Sequence, residues 1–452
     1  MQLNHAILLS EGKSLYSISK EPPLVIESYG PANPFLIAPL LKIFGKTLFA
    51  PRLLSFIFFL MEVLLIAYAV FSLTRSWKFL FLSIGLNIFM LRNFQWLLLC
   101  RSDSLGNILL FLTIFIHWKF PYNNKAIIFS LLIGILAFFT KIYFVCGFGG
   151  IVLSYWFIHR DKKMALAYLI CSSGLLIAAF LIANHITNGL YYLFTFELRS
   201  QYTKLSFSYL LQNLKSLLSY YFPLFALIVY ALIKGSFNYH RYGVLFVHLL
   251  IGFPLFAFLL LNTGSSFYYW YSILPSLIII GCDLIYLEIR NSNCKLLMPV
   301  LLFIVLIMVN RVVYRDFIRG KLVTPSPELS RKWEPLEKMV KNAKGRVMND
   351  DVTAILNIRA GKELYSEGQS YLKLKGQLRN KYNYSFTDLT KDIGQQKFAL
   401  IINPKEKEPE EKEVIEKYYK LLNTYYFPMN IEQYKYKVEV FVPKFKDKEM
   451  SI

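Results

Sequence analysis

Between Leu53 and Leu73 the chain reads LLSFIFFLMEVLLIAYAVFSL, 21 residues with one charge, Glu62. A helix needs about 20 apolar residues to cross the ~30 Å hydrocarbon layer, so this segment is expected to span a membrane. Further candidate spans follow at Trp77–Leu99, Ser104–Trp118, Ala126–Thr140, Ile142–Ile158, Leu166–Ala183, Phe222–Ile233, Gly243–Leu261, Tyr268–Leu287 and Leu296–Val313, ten in all. Hydrophobic residues make up 55% of the 452 and charged residues only 17%, which argues against a purely soluble protein. The expected fold class is mostly α, a polytopic helical membrane domain of about ten transmembrane helices.

One stretch cannot be a single crossing. Ala126–Ile158 is nearly continuous apolar sequence of 33 residues, about 50 Å as one helix at 1.5 Å per residue. A break is expected at Lys141, which sets a cation at a membrane face between two short helices. Unwound backbone is tolerated there only against protein or a wet cavity.

The net charge of +21 comes from basic residues that punctuate apolar segments, without the basic stripe and interleaved aromatics of a nucleic-acid binder. Membrane topology and anionic lipid account for it instead. Short connections carrying Arg75/Lys78, Lys119/Lys125, Arg160/Lys162/Lys163, Lys234/Arg241 and Arg290/Lys295 hold 11 basic residues and alternate with less basic ones. The positive-inside rule assigns them to the cytoplasm. The opposite, outer face then carries Met1–Arg52, Arg92–Asp103, Lys141, His185–Tyr220 and the C-terminal segment. A tail with Lys13, Lys20, Lys42, Lys46 and Arg52 does not readily cross a membrane alone, so a first transmembrane helix is expected upstream of this sequence. Residues 1–52 are assigned to an outer loop and interfacial segment, and 53–313 to the membrane domain.

Ser208–Tyr220 places leucines on one helical face and is expected to lie on the outer leaflet as an interfacial helix. Tyr268–Tyr271 fits an aromatic belt, with a ligand-facing role as the alternative. After Val313 the pattern turns polar, and residues 314–452 are expected to form an extracytoplasmic α/β domain. Its expected strands are Gly345–Asp350, Phe398–Asn403 and Tyr436–Val442, with a helix over Glu410–Tyr426. The domain has no Gly-rich phosphate loop.

The five cysteines and six histidines show no metal-ligand spacing. The first 314 residues contain nine carboxylates, and those expected on the outer face are Glu11, Glu21, Glu27, Asp103 and Glu197. Arg101 and Asp103 form an ionisable pair at a membrane boundary, readable as a functional site or as a snorkelling ion pair. Lys141 reads as a point charge for a lipid phosphate or as a snorkelling lysine. Glu62, within the first confident span, is expected to face protein or a cavity.

The order of the short motifs is informative. AILLSEGKSLYS (Ala6–Ser17), SYGPANPFLIAPLLKIFG (Ser28–Gly45), APRLLSF (Ala50–Phe56), RSDSLG (Arg101–Gly106), FFTK (Phe138–Lys141) and GSSFYYWY (Gly264–Tyr271) together resemble the bacterial polytopic glycosyltransferases of the C superfamily. That family is related to protein O-mannosyltransferases and to the aminoarabinose lipid A transferase, and the resemblance covers about residues 1–290. It implies a polyprenyl-phosphate-linked sugar donor, an envelope glycan, lipid or protein acceptor, and a bacterial inner-membrane location. No nucleic acid is implied as a partner. By matching position, Asp103 would be the acid of the second outer loop, Arg101 its basic neighbour, Lys141 the lysine at the outer helix end and Arg52 the arginine opening the next helix. Arg52, Arg101 and Lys141 would then bind the donor phosphate. Some relatives use a divalent metal, but the scattered acids define no site for one, and no other cofactor is implied.

The family's first-loop Asp, often Asp-Glu, lies roughly a dozen residues before the stretch matched by Gly12–Tyr16, upstream of this sequence. Glu11 and Glu27 remain as substitutes, neither at the family position, and Glu27 joins Asp103 as a catalytic candidate. Two other readings stay open: a membrane transporter or lipid flippase using Glu62 and Asp283, and a non-catalytic component of envelope polysaccharide assembly.

Overall fold

The computed structural model describes residues 2–17, 27, 29–89, 102–197, 205–262, 267–291, 327–349, 353–365, 389–402, 409–428 and 435–444. The expected span Leu296–Val313, the end of the expected span Trp77–Leu99, and Arg101 lie outside the described residues. The rest is mostly helical with one small sheet.

The amino-terminal part holds two helices, α1 (Gln2–Ser10) and α2 (Ala32–Phe44), followed by α3 (Phe49–Thr74), α4 (Trp77–Phe89), α5 (Ser102–Lys119) and α6 (Asn124–Phe138). A 3-10 turn, Ile142–Val145, leads into α7 (Cys146–Leu153), which ends in a π-helical turn at Ser154–Ile158. Then come α8 (Lys162–Ile186), α9 (Phe207–Ile233), α10 (Val244–Leu259), a 3-10 turn at Phe267–Ser272, and α11 (Leu274–Asn291). By length and composition α3 and α8 can each cross a membrane, with mean hydropathy of 2.5 and 2.3. Ile142–Ile158, Tyr221–Ile233, α4, α6 and α10 are shorter apolar helices.

Local chemistry sets several of the starts. Asn123, Asp161 and Ser206 cap α6, α8 and α9 by accepting from the backbone N–H of Ala126, Met164 and Tyr209, which satisfies amides that a helix start leaves unpaired. Asp161, one of the few carboxylates in this half, is thus a cap.

The expected break at Lys141 is present: α6 stops at Phe138, and Lys141 is extended at φ −159° and ψ 139°. Its neighbours' carbonyls are not left bare. Gly30 N–H donates to Thr140 O and Ala32 N–H to Phe139 O, each at 3.1 Å, so the first loop satisfies the unwound backbone. The expected interfacial helix at Ser208–Tyr220 is not a separate element, since it runs unbroken through Pro223 into the following apolar segment as α9. Leu217, Tyr221, Leu224 and Ile228 fall on one buried face at helical spacing, so a single stripe extends over both segments.

The helices run between two poles. At one, Lys119 Nζ donates to Ser72 Oγ at 2.5 Å, Trp118 Nε1 to Arg241 O at 3.1 Å, and Lys234 pairs with Glu288 at 3.0 Å. These contacts gather the ends of α3, α5, α9 and α11 at one pole. The other pole carries α1, α2, the start of α5 and the break at Lys141. Glu62 is buried at 6% exposure, in keeping with the cost of a lipid-facing carboxylate.

Beyond α11, the described residues form α12 (Pro327–Asn342), β1 (Arg346–Met348), α13 (Ala354–Arg359), α14 (Leu389–Gly394), β2 (Phe398–Ile402), α15 (Pro409–Tyr418), β3 (Tyr419–Pro428) and β4 (Lys435–Pro443). Sheet order is β1-β2-β4-β3, parallel between β1 and β2 and antiparallel elsewhere. The helix expected over Glu410–Tyr426 ends at Tyr418. From Tyr419 the aromatic-rich run YKLLNTYYFP pairs along β4 instead, where aromatic side chains suit a pleated surface. Trp333 of α12 stacks on Phe427, ring centroids 3.8 Å apart. A shared buried cluster joins Tyr16, Phe138, Tyr191 and Phe194 to Ile393, Phe398, Ile415 and Tyr419, so this unit packs against the pole that carries the break.

Candidate active site

Asp103 is the second residue of α5, within the first turn, where the helix dipole favours a negative charge. Three residues on, a Cβ at Gly106 would meet the Phe144 ring at 1.9 Å. The glycine of the RSDSLG motif therefore lets the turn after Lys141 lie directly on α5. That close approach brings two residues 38 positions apart together: Lys141 Nζ donates to Asp103 Oδ1 at 2.5 Å. Tyr143 OH donates to the same oxygen at 3.0 Å. Both members of the pair are nearly sealed from solvent, Lys141 at 2% and Asp103 at 3% exposure.

Asp103 Oδ2 has no hydrogen-bond partner among the described residues. A buried carboxylate oxygen in that condition is costly unless a ligand or water meets it. The lysine is also ringed by aromatic faces: its Nζ lies 4.7 Å from the Tyr29 ring centroid and 5.7 Å from those of Tyr143 and Tyr269, all within cation–π range. Tyr269 belongs to the motif Gly264–Tyr271. Its 3-10 turn is tied to α5 because Ser272 Oγ donates to Asn107 Oδ1 at 2.8 Å.

Glu27 lies beside this pair, not in it. Its Oε2 is 2.8 Å from His5 Nδ1, and both side chains have zero exposure. Its Oε1 accepts the Tyr29 N–H at 2.7 Å, while Tyr16 OH donates to Tyr29 O at 3.2 Å. Burial pushes the Tyr16 phenol well above its ordinary pKa, and the negative charge of Glu27 adds to that. Glu11 is separate again: it pairs with Lys46 at 2.6 Å and Lys13 at 3.0 Å near the surface.

Of the residues singled out from sequence, Asp103 and Lys141 are therefore in direct contact, and Glu27 reaches them through Tyr29. Arg52 stands exposed in the first turn of α3, and Arg101 lies outside the described residues. His5, Tyr29 and Tyr143 were not picked out. The six histidines have no metal-ligand spacing to mark one of them out, and an aromatic residue in an aromatic-rich chain carries little signal alone. No group of three or more His, Cys, Asp or Glu side chains that could hold a metal ion occurs among the described residues.

No protein-family model and no curated protein matches the chain. Solved structures do. ArnT from Cupriavidus metallidurans bound to undecaprenyl phosphate superposes with a TM-score of 0.59 at 11% identity, over 97% of this chain and 92% of the other. The same protein in the apo state gives 0.58 at 11% identity with the same coverage. The chain thus has the fold of ArnT, the aminoarabinose lipid A transferase of the C superfamily that its motifs resemble.

Proposed function

We propose that the chain is an integral membrane glycosyltransferase that moves a sugar from a polyprenyl-phosphate-linked donor to a cell-envelope acceptor on the extracytoplasmic face of the bacterial inner membrane. The observation that carries this reading is the sealed Asp103–Lys141 pair, with one carboxylate oxygen unpartnered among the described residues. It stands in a fold that, in ArnT, is found bound to undecaprenyl phosphate. In this reading the pole with the break at Lys141 faces outward, and the α/β unit of residues 314–452 packs over it on that side.

The chemistry follows from the pair. Donor phosphate competes with Asp103 for the Lys141 ammonium, a compact cation with three donors. Asp103, released toward the acceptor, takes the proton of the attacking hydroxyl. The acceptor oxygen bonds to the anomeric carbon as the carbon–oxygen bond to phosphate breaks, and the electron pair leaves on the polyprenyl phosphate. Lys141, with Arg52 and Arg101 as the further cations assigned to the phosphate, stabilises the charge that develops there. A single displacement of this kind inverts the anomeric centre, as the resemblance implies.

The test is sugar transfer in proteoliposomes, using undecaprenyl-phosphate-linked pentoses and hexoses and lipid extracts as acceptors. Transfer by the wild-type chain that is lost in Asp103→Asn and Lys141→Ala, with normal membrane insertion, is the expected result. Labelled donor that crosses the bilayer without being consumed would overturn the reading in favour of transport.

A further inference from the structure

We propose that His5 and Glu27 form a buried clamp that holds Tyr29 over Lys141, making His5, Glu27 and Tyr29 positioning residues of the donor-phosphate site. The inference rests on the reading that Lys141 receives a polyprenyl phosphate. It assigns a role to the amino-terminal helix α1, whose His5 no motif singles out, and it changes the role of Glu27 from catalytic carboxylate to anchor.

Contacts run in one direction, from α1 to the lysine. His5 and Glu27 meet at 2.8 Å with no exposure, and a carboxylate sealed this way is stable only beside a partner that offsets its charge. Glu27 holds the Tyr29 N–H at 2.7 Å and the Tyr16 hydroxyl holds the Tyr29 carbonyl at 3.2 Å, so the tyrosine's backbone is gripped at both ends. The next residue, Gly30, donates to the carbonyl of Thr140 at 3.1 Å, immediately before Lys141. A Cβ on Gly30 would lie 1.7 Å from Phe139 O, so only glycine permits this approach. Among the described residues, the Tyr29 ring lies 4.7 Å from the ammonium, against 5.7 Å for those of Tyr143 and Tyr269.

Glu27 is poorly disposed to accept an acceptor proton, because its oxygens face His5 and the Tyr29 amide inside a sealed pocket. Holding is what such a carboxylate can do. The cation's reach toward phosphate depends on where the aromatic face holds it, which makes the clamp a determinant of donor affinity.

The measurement is binding of undecaprenyl phosphate to the full chain in lipid nanodiscs. His5→Ala and Tyr29→Leu are each expected to weaken binding roughly tenfold, the scale of one desolvated cation–π contact. The double variant should bind no more weakly than either alone, because both changes break one path. His5→Asn, which keeps an N–H near the Nδ1 position, should recover most of the affinity. Should His5→Ala fail to insert, Glu27→Gln, alone and combined with Tyr29→Leu, carries the same cycle. Additive losses, or unchanged affinity in His5→Ala, would overturn the clamp while leaving the glycosyltransferase reading intact. A wild-type chain that binds no undecaprenyl phosphate would instead overturn that reading, and the clamp with it.

Discussion

Two ion pairs on buried aspartates, one at each pole, each join a cation and a tyrosine and are finished differently. At the basic pole, Arg241 donates to both oxygens of Asp283 at 2.6 Å, Tyr242 OH adds a third bond at 2.9 Å, and Arg241 also reaches Leu73 O at 3.0 Å. At the other pole, Lys141 and Tyr143 both converge on one oxygen of Asp103 and leave the second without a partner among the described residues. The first is a closed fork that ties the connection between α9 and α10 to helices α3 and α11, with its turn capped by Asn238. The second uses a single-point cation that can exchange partners. A buried carboxylate saturated by bidentate arginine serves the scaffold, whereas one held at a single oxygen is poised for a ligand. The same saturation leaves Asp283 little capacity to act as a pathway residue of a transporter.

Substitutions can break that contrast. The largest effect is expected from Asp103→Asn, which should lower sugar transfer by about 10²–10⁴-fold, the scale of a lost general base. Asp283→Asn should change turnover only a few-fold and lower the melting midpoint instead. Equal losses of transfer in both would erase the distinction between the poles. Next is Arg241→Ala, which leaves Asp283 charged and sealed and should cost about 3–5 kcal/mol, read from unfolding in detergent micelles. Removing Asp283 as well should recover part of that loss. Exchanging the cation sharpens the comparison: Lys141→Arg offers Asp103 a fork that can take both oxygens. It should weaken undecaprenyl phosphate binding by roughly tenfold without lowering the melting midpoint.

The smallest effect belongs to Glu11, whose half-exposed pairs are worth under about 1 kcal/mol. The Lys46 hydrogen bond, followed by Lys13, holds its carboxyl below the usual value. A group with a depressed folded pKa stabilises at neutral pH and loses that contribution as pH falls through the folded value. The midpoint difference between wild type and Glu11→Gln should therefore be present at pH 7 and vanish in acid.

Much of the architecture was legible in the chain because apolar length and charge spacing are strong, local signals. The break at Lys141 followed from arithmetic alone, since 33 apolar residues exceed one bilayer. Asp103 and Lys141 stood out individually because carboxylates and mid-apolar lysines are scarce. Their contact did not, because it depends on Gly106 admitting Phe144, a packing relation with no sequence period. The Arg241–Asp283 fork was missed for a related reason: Arg241 has an adequate explanation as a topogenic charge. Tyr419–Pro428 was read partly as helix because Leu421, Leu422 and Tyr425 also fit a 3.6-residue repeat. Pairing with β4 outweighed that local preference.

The cluster joining Tyr16 and Leu15 to Phe398, Ile415 and Tyr419 also imposes an order on biosynthesis. The loop that holds Leu15 and Tyr16 is made roughly 380 residues before the first of these partners, Phe398, emerges. At about 5–20 residues per second, the loop beside Lys141 waits tens of seconds for those partners. A lesion in β2 or β3 should therefore present as a failure of the loop at Leu15 and Tyr16 to mature, and a nascent chain stalled before Phe398 should leave that loop open to protease.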